Sequence, residues 1–430
     1  MENILDDKLL KVVKHAYSTV PFYRNLLYDK DLSVATISDF NMFPLVDKRM
    51  IVNSDVEMLS DTYRDFVTQM NLTIRRTSGS SGHYLKIYWD MYDNTRSLLG
   101  LWYRRKIFFN INPIDKFCYF YTTDYLHNKF IEVQNETVSF DNRSIGFSKR
   151  NMECDRISEI YIKMLRFKPI WLMMQPSIAL LFNNVIKKNK LPKIESLKYI
   201  ELTGEYLLET VRNEIEATFN CVVSNQYGCN EANSIASDCR NKKMHVHSSN
   251  VFVEILKNGQ AVQMGEEGDI YITTLENYAM PFIRYKIGEK GILHSSEFCN
   301  CECKDMILEL KNGRECASVV TETNEHIPSY VFIRPIEYIN EKIGNIIKQF
   351  QIIQHNINKF TVKLVIKPSY FNWKNTIKEI FIKELKEKAL SNAIWEFIYI
   401  DSLLPDDKTG KLAYFISECK IETKQNYNIM

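Results

Sequence analysis

Residues 77–82 place four aliphatic hydroxyls beside two glycines: Thr77, Ser78, Gly79, Ser80, Ser81 and Gly82. Glycine lets a backbone turn tightly around an anion, while N–H groups and hydroxyls supply donors to phosphate oxygens. The same composition also suits a plain Ser/Gly hairpin turn, so on its own the loop reads equally as either. It lacks the Gly-Lys-Ser/Thr ending of a Walker loop, and a strand-like run with Leu85, Ile87 and Trp89 follows it.

Two further clusters fall at predicted strand ends. Residues 197–202 read as a strand that stops at Thr203, Gly204 and Glu205. A helix follows, with Leu207, Leu208, Val211, Ile215 and Phe219 on one face. Residues 221–226 read as a second strand, whose Asn225 and Gln226 lead into Tyr227, Gly228, Cys229, Asn230 and Glu231. Strand–helix–strand with short links implies a parallel, right-handed crossover, and ligands bind beyond the carboxyl ends of such strands. Each end carries a glycine and a glutamate, and the second adds a tyrosine, which makes both ligand-facing candidates. Two ordinary turns with solvated glutamates are the alternative. A separate constellation, Cys239, His245, Cys299, Cys301 and Cys303, offers the soft ligands of a closed tetrahedral zinc site. Its Cys-x-Cys spacing lacks the usual two-residue gap, and free thiols on a loop are the alternative.

The elements that must position these groups belong to a chain of 430 residues, too long for one ordinary core, so two or more domains are expected. With 45% hydrophobic and 25% charged residues the composition is that of a soluble globular protein. A net charge of +2 provides no field suited to nucleic acid or an anionic membrane. The N-terminus lacks the basic-then-apolar order of a signal peptide, and the most apolar run, 169–182, is interrupted by Gln175 and Pro176 and is too short to span a bilayer. Three of the ten cysteines crowd between 299 and 303, too close for ordinary bridges, which predicts thiol or metal chemistry in a reducing, cytoplasmic setting. Helical spacing is predicted over 7–27 (broken at Pro21), 90–108, 157–165 and 177–188, and an aromatic strand over 118–121. Residues 125–150 are polar and weakly patterned. Residues 251–256 alternate like a strand and meet a hairpin turn at Asn258-Gly259, another strand covers 269–273, and 277–289 reads as irregular. From Ser329 the texture changes to a small α+β domain, which ends in a turn-forming tail with Lys411 after Gly410.

In this order the motifs resemble the adenylate-forming superfamily of acyl-CoA synthetases, peptide-synthetase adenylation domains and luciferases. Within it they are most similar to the phenylacetate–CoA ligase-like branch, which includes capsule-biosynthesis proteins. The segments 20–24 and 43–48 match that branch, residues 77–82 resemble its phosphate loop, and 277–288 is the most specific match. The resemblance implies an α/β fold: a large N-terminal domain, 1–314, of mixed and parallel sheets flanked by helices, and a small mobile α+β domain, 315–430, carrying the catalytic lysine. It implies a two-step reaction. A carboxylate, aryl or small, attacks the α-phosphorus of ATP and expels pyrophosphate; the acyl adenylate then passes to a thiol, CoA in the first instance. Transfer to an amine or carrier protein, or a nucleotide-binding descendant without turnover, are the alternatives. Thr77 to Gly82 would hold the β- and γ-phosphates, and Thr203, Gly204, Glu205, Asn225, Gln226, Tyr227 and Gly228 the adenine side. Glu231 would hold Mg2+, Glu289 the ribose, Arg314 would lie at the hinge, and Lys411 would bring positive charge to the carboxylate and α-phosphate when its domain closes. Lys411, Glu231 and Thr77 are thus the implied catalytic set. The branch often carries a Cys…His segment and a Cys-x-Cys before Gly-Arg, which favours Cys239, His245, Cys299 and Cys301 as structural zinc ligands, with Cys303 and His247 as competitors. Three positions depart from the pattern: Glu289 replaces aspartate, Tyr84 replaces proline, and Glu315-Cys316-Ala317 stands where the hinge usually carries aspartate. Neither nucleic acid nor membrane is an implied partner, and assembly as a homodimer is left open.

Overall fold

The computed structural model describes residues 2–28, 36–52, 54, 56–64, 72–76, 85–121, 136–149, 152–311, 318–322, 326–344, 346–386, 390, 392–404 and 412–419. These divide into two compact units, the first running to Lys311 and the second starting at Ser318. Among the described residues no helix is long and apolar enough to cross a membrane.

The first unit begins with a long helix, α1 (Glu2–Thr19), and a sheet of two strands, β1 (Leu72–Arg76) and β2 (Lys86–Asp90). Its main body is one 13-stranded sheet. The parallel part contains β3 (Phe117–Tyr121), β5 (Ser144–Ser148), β6 (Trp171–Met174), β7 (Tyr199–Thr203) and β8 (Val222–Cys229), with β4 (Glu136–Val138) antiparallel at its edge. The antiparallel part contains β9 (Asn233–Asp238), β10 (Met244–Val246), β11 (Val251–Lys257), β12 (Gln260–Ala261), β13 (Glu267–Thr274), β14 (Tyr285–His294) and β15 (Ile307–Lys311). Across the sheet the order is β12-β11-β13-β14-β15-β10-β9-β8-β7-β6-β3-β5-β4. Pairing changes sense at β8, which runs parallel to β7 and antiparallel to β9.

Local chemistry explains where these elements depart from the sequence pattern. The helix expected over 90–108 is two helices, Met91–Arg96 and α2 (Leu99–Phe109). Asp90 caps the first by accepting from the backbone N–H groups of Tyr92 and Asp93. β5 lies in the weakly patterned stretch because Gly146 faces Tyr119, and a Cβ there would stand 2.5 Å from that ring. The second half of 277–289 is not irregular but opens β14. The helices α3 (Cys154–Phe167), α4 (Pro176–Asn189) and α5 (Glu209–Phe219) follow the expected spacing, and α5 links β7 to β8 as the crossover predicts. The second unit pairs β16 (Ser318–Val320) with β17 (His326–Pro328). It also forms a four-stranded sheet from β18 (Ile347–Asn356), β19 (Lys359–Ile366), β20 (Ile394–Tyr399) and β21 (Phe415–Ser417), in the order β20-β19-β18-β21. Its helices are α6 (Ile333–Ile343) and α7 (Lys374–Lys386), and α7 packs Phe381 edge-on against Trp395 and Phe397 of β20.

A buried ion pair sits where α2 meets the parallel strands. Glu201, in the middle of β7, accepts two hydrogen bonds from Arg105, and the Tyr199 hydroxyl donates to the same carboxylate at 3.1 Å. The guanidinium lies against both the Trp102 and Trp171 rings, 4.4 and 4.8 Å from their centroids, and the two rings meet each other edge to face. Burial, with the Glu201 charge beside it, pushes the Tyr199 phenol well above its usual range, so it stays a donor. Removing one member of such a pair strands a charge in the core. Glu201→Leu is therefore expected to lower unfolding stability by about 3–5 kcal/mol in urea titration. The double variant with Arg105→Leu should regain most of that loss, and equal losses in single and double variants would contradict this account.

Candidate functional site

Strands β1, β2 and β14 meet at the turn that joins β8 to β9, and α5 and β7 hold β8 behind it. On β8, the Asn225 N–H donates to buried Asp238 at 2.8 Å, and Arg212 of α5 donates to the same oxygen at 2.7 Å, which fixes the strand from behind. Gln226 donates to the Ser234 hydroxyl at 3.0 Å and accepts from Thr203 at the end of β7. The backbone at Gly204 adopts φ +83°, a left-handed turn that suits glycine. Glu205 faces α4: its carboxylate accepts from the Ser177 N–H at 2.9 Å and the Ser177 hydroxyl at 2.8 Å. It anchors a helix start, where N–H groups lack internal partners.

Beyond Gln226 the chain carries Tyr227 and Gly228 into the turn with Glu231. The Tyr227 hydroxyl donates to Glu289 on β14, so the predicted adenine-side tyrosine and ribose-side carboxylate touch. Glu231 is buried and accepts from the Tyr285 hydroxyl at 3.2 Å. Burial, followed by the Glu231 charge, holds the Tyr285 phenol well above its usual range. Tyr285 is set by two N-terminal segments to which local patterning assigns nothing. Val46 bridges onto its strand, donating to the Arg284 carbonyl at 3.0 Å and accepting from the Lys286 N–H at 2.8 Å. Tyr23 accepts from the Ile283 N–H at 2.9 Å and donates to the Pro281 carbonyl at 3.2 Å.

The strands flanking residues 77–82 are tied to the same turn. β1 and β2 pair antiparallel with Arg76 opposite Lys86. From β2, Trp89 Nε1 donates to the Asn230 carbonyl at 3.0 Å; from β1, Arg75 donates to the Asn233 side chain. Residues 77–82 themselves, with Arg314 and Lys411, lie outside the described residues. Tyr285, Trp89 and Arg75 were not candidates from sequence. Tyr285 lies inside the distinctive 277–289 block, but no spacing rule links it to Glu231 54 residues away.

The cysteine cluster is a second site. One donor atom each from Cys239, His245, Cys299 and Cys301 lies within 4.8 Å of all the others. Cys239 and Cys299 sulfurs are 3.6 Å apart, and Cys301 Sγ is 3.2 Å from His245 Nε2. Tetrahedral zinc with thiolate bonds near 2.3 Å would set sulfurs about 3.8 Å apart, so the donor set and spacing fit. His245 Nδ1 pairs with the Asp305 carbonyl at 2.8 Å, which makes Nδ1 the protonated nitrogen and turns the Nε2 lone pair toward the thiols. Cys303 stands apart, its thiol 3.4 Å from Asp305, and buried His247 is not in the group. Burial opposes ionisation of Cys299, but bonds from His245 and the Cys301 backbone outweigh it and bring the thiol down to about 6. Arg104 of α2 donates to the His245 and Val246 carbonyls and to Asp305 at 2.6 Å, bracing the loop.

Residues 319–418 match the family described as the CapK C-terminal domain. Protein CapK of Staphylococcus aureus is 21% identical over 409 residues, covering 93% of this chain and 85% of CapK. The phenylacetate–coenzyme A ligase of Thermus thermophilus is 22% identical over 240 residues, 54% of this chain and 50% of that enzyme. Among solved structures, 2-hydroxyisobutyryl-CoA ligase in its postadenylation state superposes with a TM-score of 0.71 at 17% identity, covering 97% of this chain and 89% of the ligase. The fold is that of the adenylate-forming ligases. The phenylacetate–CoA ligase-like resemblance seen in the motifs therefore holds, and the large mixed sheet flanked by helices is the one it implied.

The turn itself offers a sharp test. A Cβ at Gly228 would lie 1.9 Å from the Asn233 carbonyl oxygen, a backbone atom that no side-chain rotation moves. Gly228→Ala should therefore part β8 from β9 and displace Glu231. The unfolding midpoint in urea titration is expected to fall while far-UV circular dichroism stays native. An unchanged midpoint would show that the turn tolerates the displacement.

Proposed function

We propose that this chain activates a carboxylic acid with ATP as an acyl adenylate, releases pyrophosphate, and passes the acyl group to a thiol, with CoA as acceptor. One observation carries it: the hairpin flanking residues 77–82 is hydrogen-bonded to the turn bearing Glu231, while Tyr227 and Glu289 meet beside it. The strands that flank residues 77–82 thus meet groups suited to divalent metal, adenine and ribose near the carboxyl ends of β7 and β8, where ligands of such sheets bind.

In this function residues 77–82 hold the β- and γ-phosphates, and Tyr227 offers its ring to adenine while Glu289 takes the ribose. Glu231 is the hard oxygen ligand for magnesium, which when bound offsets phosphate charge. The Tyr285 hydroxyl fixes the rotation of that carboxylate. Lys411 places a cation between the attacking carboxylate and the α-phosphate, where charge develops in the in-line transition state. CoA ligases similar in sequence or fold are named for phenylacetate and 2-hydroxyisobutyrate, so aryl and small organic acids are the first candidates. The cysteine cluster holds structural zinc through Cys239, His245, Cys299 and Cys301. None of the nine described cysteines forms a disulfide, which suits a reducing, cytoplasmic setting.

ATP–pyrophosphate exchange across a panel of carboxylic acids tests the core of this function. Exchange with at least one acid, followed by thioester formation with CoA, is expected; amide formation instead would assign an amine acceptor. Tight ATP binding without exchange by any acid would identify a non-catalytic nucleotide binder. Lys411→Ala should abolish exchange and leave ATP binding intact, and wild-type exchange in that variant would remove Lys411 from its role. Elemental analysis should find stoichiometric zinc in the purified chain and none in Cys301→Ser, and a zinc-free wild type would reject the metal site.

A further inference from the structure

Arg75 occupies an unusual electrostatic position. It is the penultimate residue of β1, two positions before Thr77. Its guanidinium donates to the Asn94 side-chain oxygen at 2.8 Å and to that of Asn233, and lies 5.9 Å from the centroid of the Trp89 ring. The polar groups around it are neutral: Asn233 Nδ2 continues the network to Asn94 at 3.1 Å and to the Ser97 hydroxyl at 2.6 Å. Among the described residues no carboxylate lies within ion-pair reach of Arg75. The other partly or fully buried arginines of this unit mostly have one: Arg105 has Glu201, Arg212 has Asp238, Arg284 has Glu254, and Arg104 has Asp305. Burial alone acts on Arg75, weakening its hold on the proton.

A half-buried guanidinium whose acceptors among the described residues are all neutral gains most when an anion arrives. Its two amide partners hold the planar fork in place before any ligand binds, so little side-chain entropy is lost on contact. Asn233 belongs to the hairpin that carries Glu231, and β1 runs directly into residues 77–82. We infer that Arg75 is a further binding residue for the polyphosphate tail of ATP, supplying the fixed positive charge that the hydroxyl-and-glycine loop lacks. The inference rests on the ATP-dependent function proposed above.

Calorimetric titration of the full chain with inorganic tripolyphosphate and, separately, with AMP tests it. Arg75→Gln should weaken tripolyphosphate about ten- to a hundredfold, as expected for hydrogen bonds to a charged group, and leave AMP affinity unchanged. Asn94→Ala keeps the charge but loosens the fork, so tripolyphosphate should weaken less than with Arg75→Gln. Equal weakening of both ligands by Arg75→Gln, or an Asn94→Ala loss as large as that of Arg75→Gln, would make Arg75 a structural pin and overturn the inference. Should Arg75→Gln fail to fold, Arg75→Lys decides: the fork is lost, so tripolyphosphate should weaken with AMP unchanged, and a parallel loss of both overturns it. A wild-type chain that binds AMP but not tripolyphosphate overturns Arg75's role alone, whereas one that binds neither removes the ATP-dependent function as well.

Discussion

The contact between Gly228 and the Asn233 carbonyl sets the geometry on which the site depends. Only a residue without a Cβ lets β8 and β9 close this tightly, because any side chain would meet a backbone oxygen at 1.9 Å. Once closed, the turn becomes an attachment point for segments distant in sequence. Trp89 of β2 bonds to Asn230, Arg75 of β1 to Asn233, and Tyr285 of β14 to Glu231. Asn250 Nδ2 bonds to the Ala232 and Ser234 carbonyls at 2.7 and 2.6 Å. Most of these bonds are buried or half-buried, where an unpaired partner would cost more than the bond contributes. The turn that carries Glu231 is thus held from several sides at once.

The change of pairing sense at β8 makes such a turn available. Parallel strands need long crossovers and leave their carboxyl ends open, while antiparallel strands close with tight turns. β8 does both, following β7 through α5 and turning directly into β9. Thr203 and Gln226, on the two parallel neighbours, hydrogen-bond side by side at that open end. Arg284, next to Tyr285, adopts φ +48°, a conformation that needs surrounding contacts to persist in a residue of this size. Arg284 has them, through its bonds to Glu254 and to the Asn41 and Phe43 carbonyls.

Much of this was legible in the sequence because local chemistry and global fold agree. The 3.6-residue spacing of Val211, Ile215 and Phe219 predicted α5, and the short links on either side predicted its crossover. The asparagine–glycine turn at Asn258 and Gly259 adopts the positive φ values, +53° and +79°, that such hairpins demand. What the sequence could not carry is long-range pairing. Nothing in 43–48 indicates that Val46 bridges to Tyr285, because a backbone hydrogen bond leaves no side-chain signature. β5 was hidden for a related reason: its fit depends on an absent side chain at Gly146 facing a ring on another strand. Among the cysteines, the resemblance favoured Cys301 and kept Cys303 as a competitor; the fold turns Cys301 to His245 and Cys303 to Asp305.

The placement of the cysteine cluster explains why a metal there would matter without taking part in the chemistry. β9 starts at Asn233, inside the turn that presents Glu231, and ends at Asp238, next to Cys239. Six residues of strand span about 20 Å, too far for a bound ion to touch a ligand at the Glu231 turn. The cluster instead joins three elements at that far end: Cys239 after β9, His245 on β10, and the 299–301 loop before β15. β10 pairs with β9 along all three of its residues but meets β15 at a single register pair. Four metal bonds would strengthen that weaker seam. Their effect on the Glu231 turn is mechanical, because a strand clamped at one end and turned tightly at the other has little freedom to slide between them.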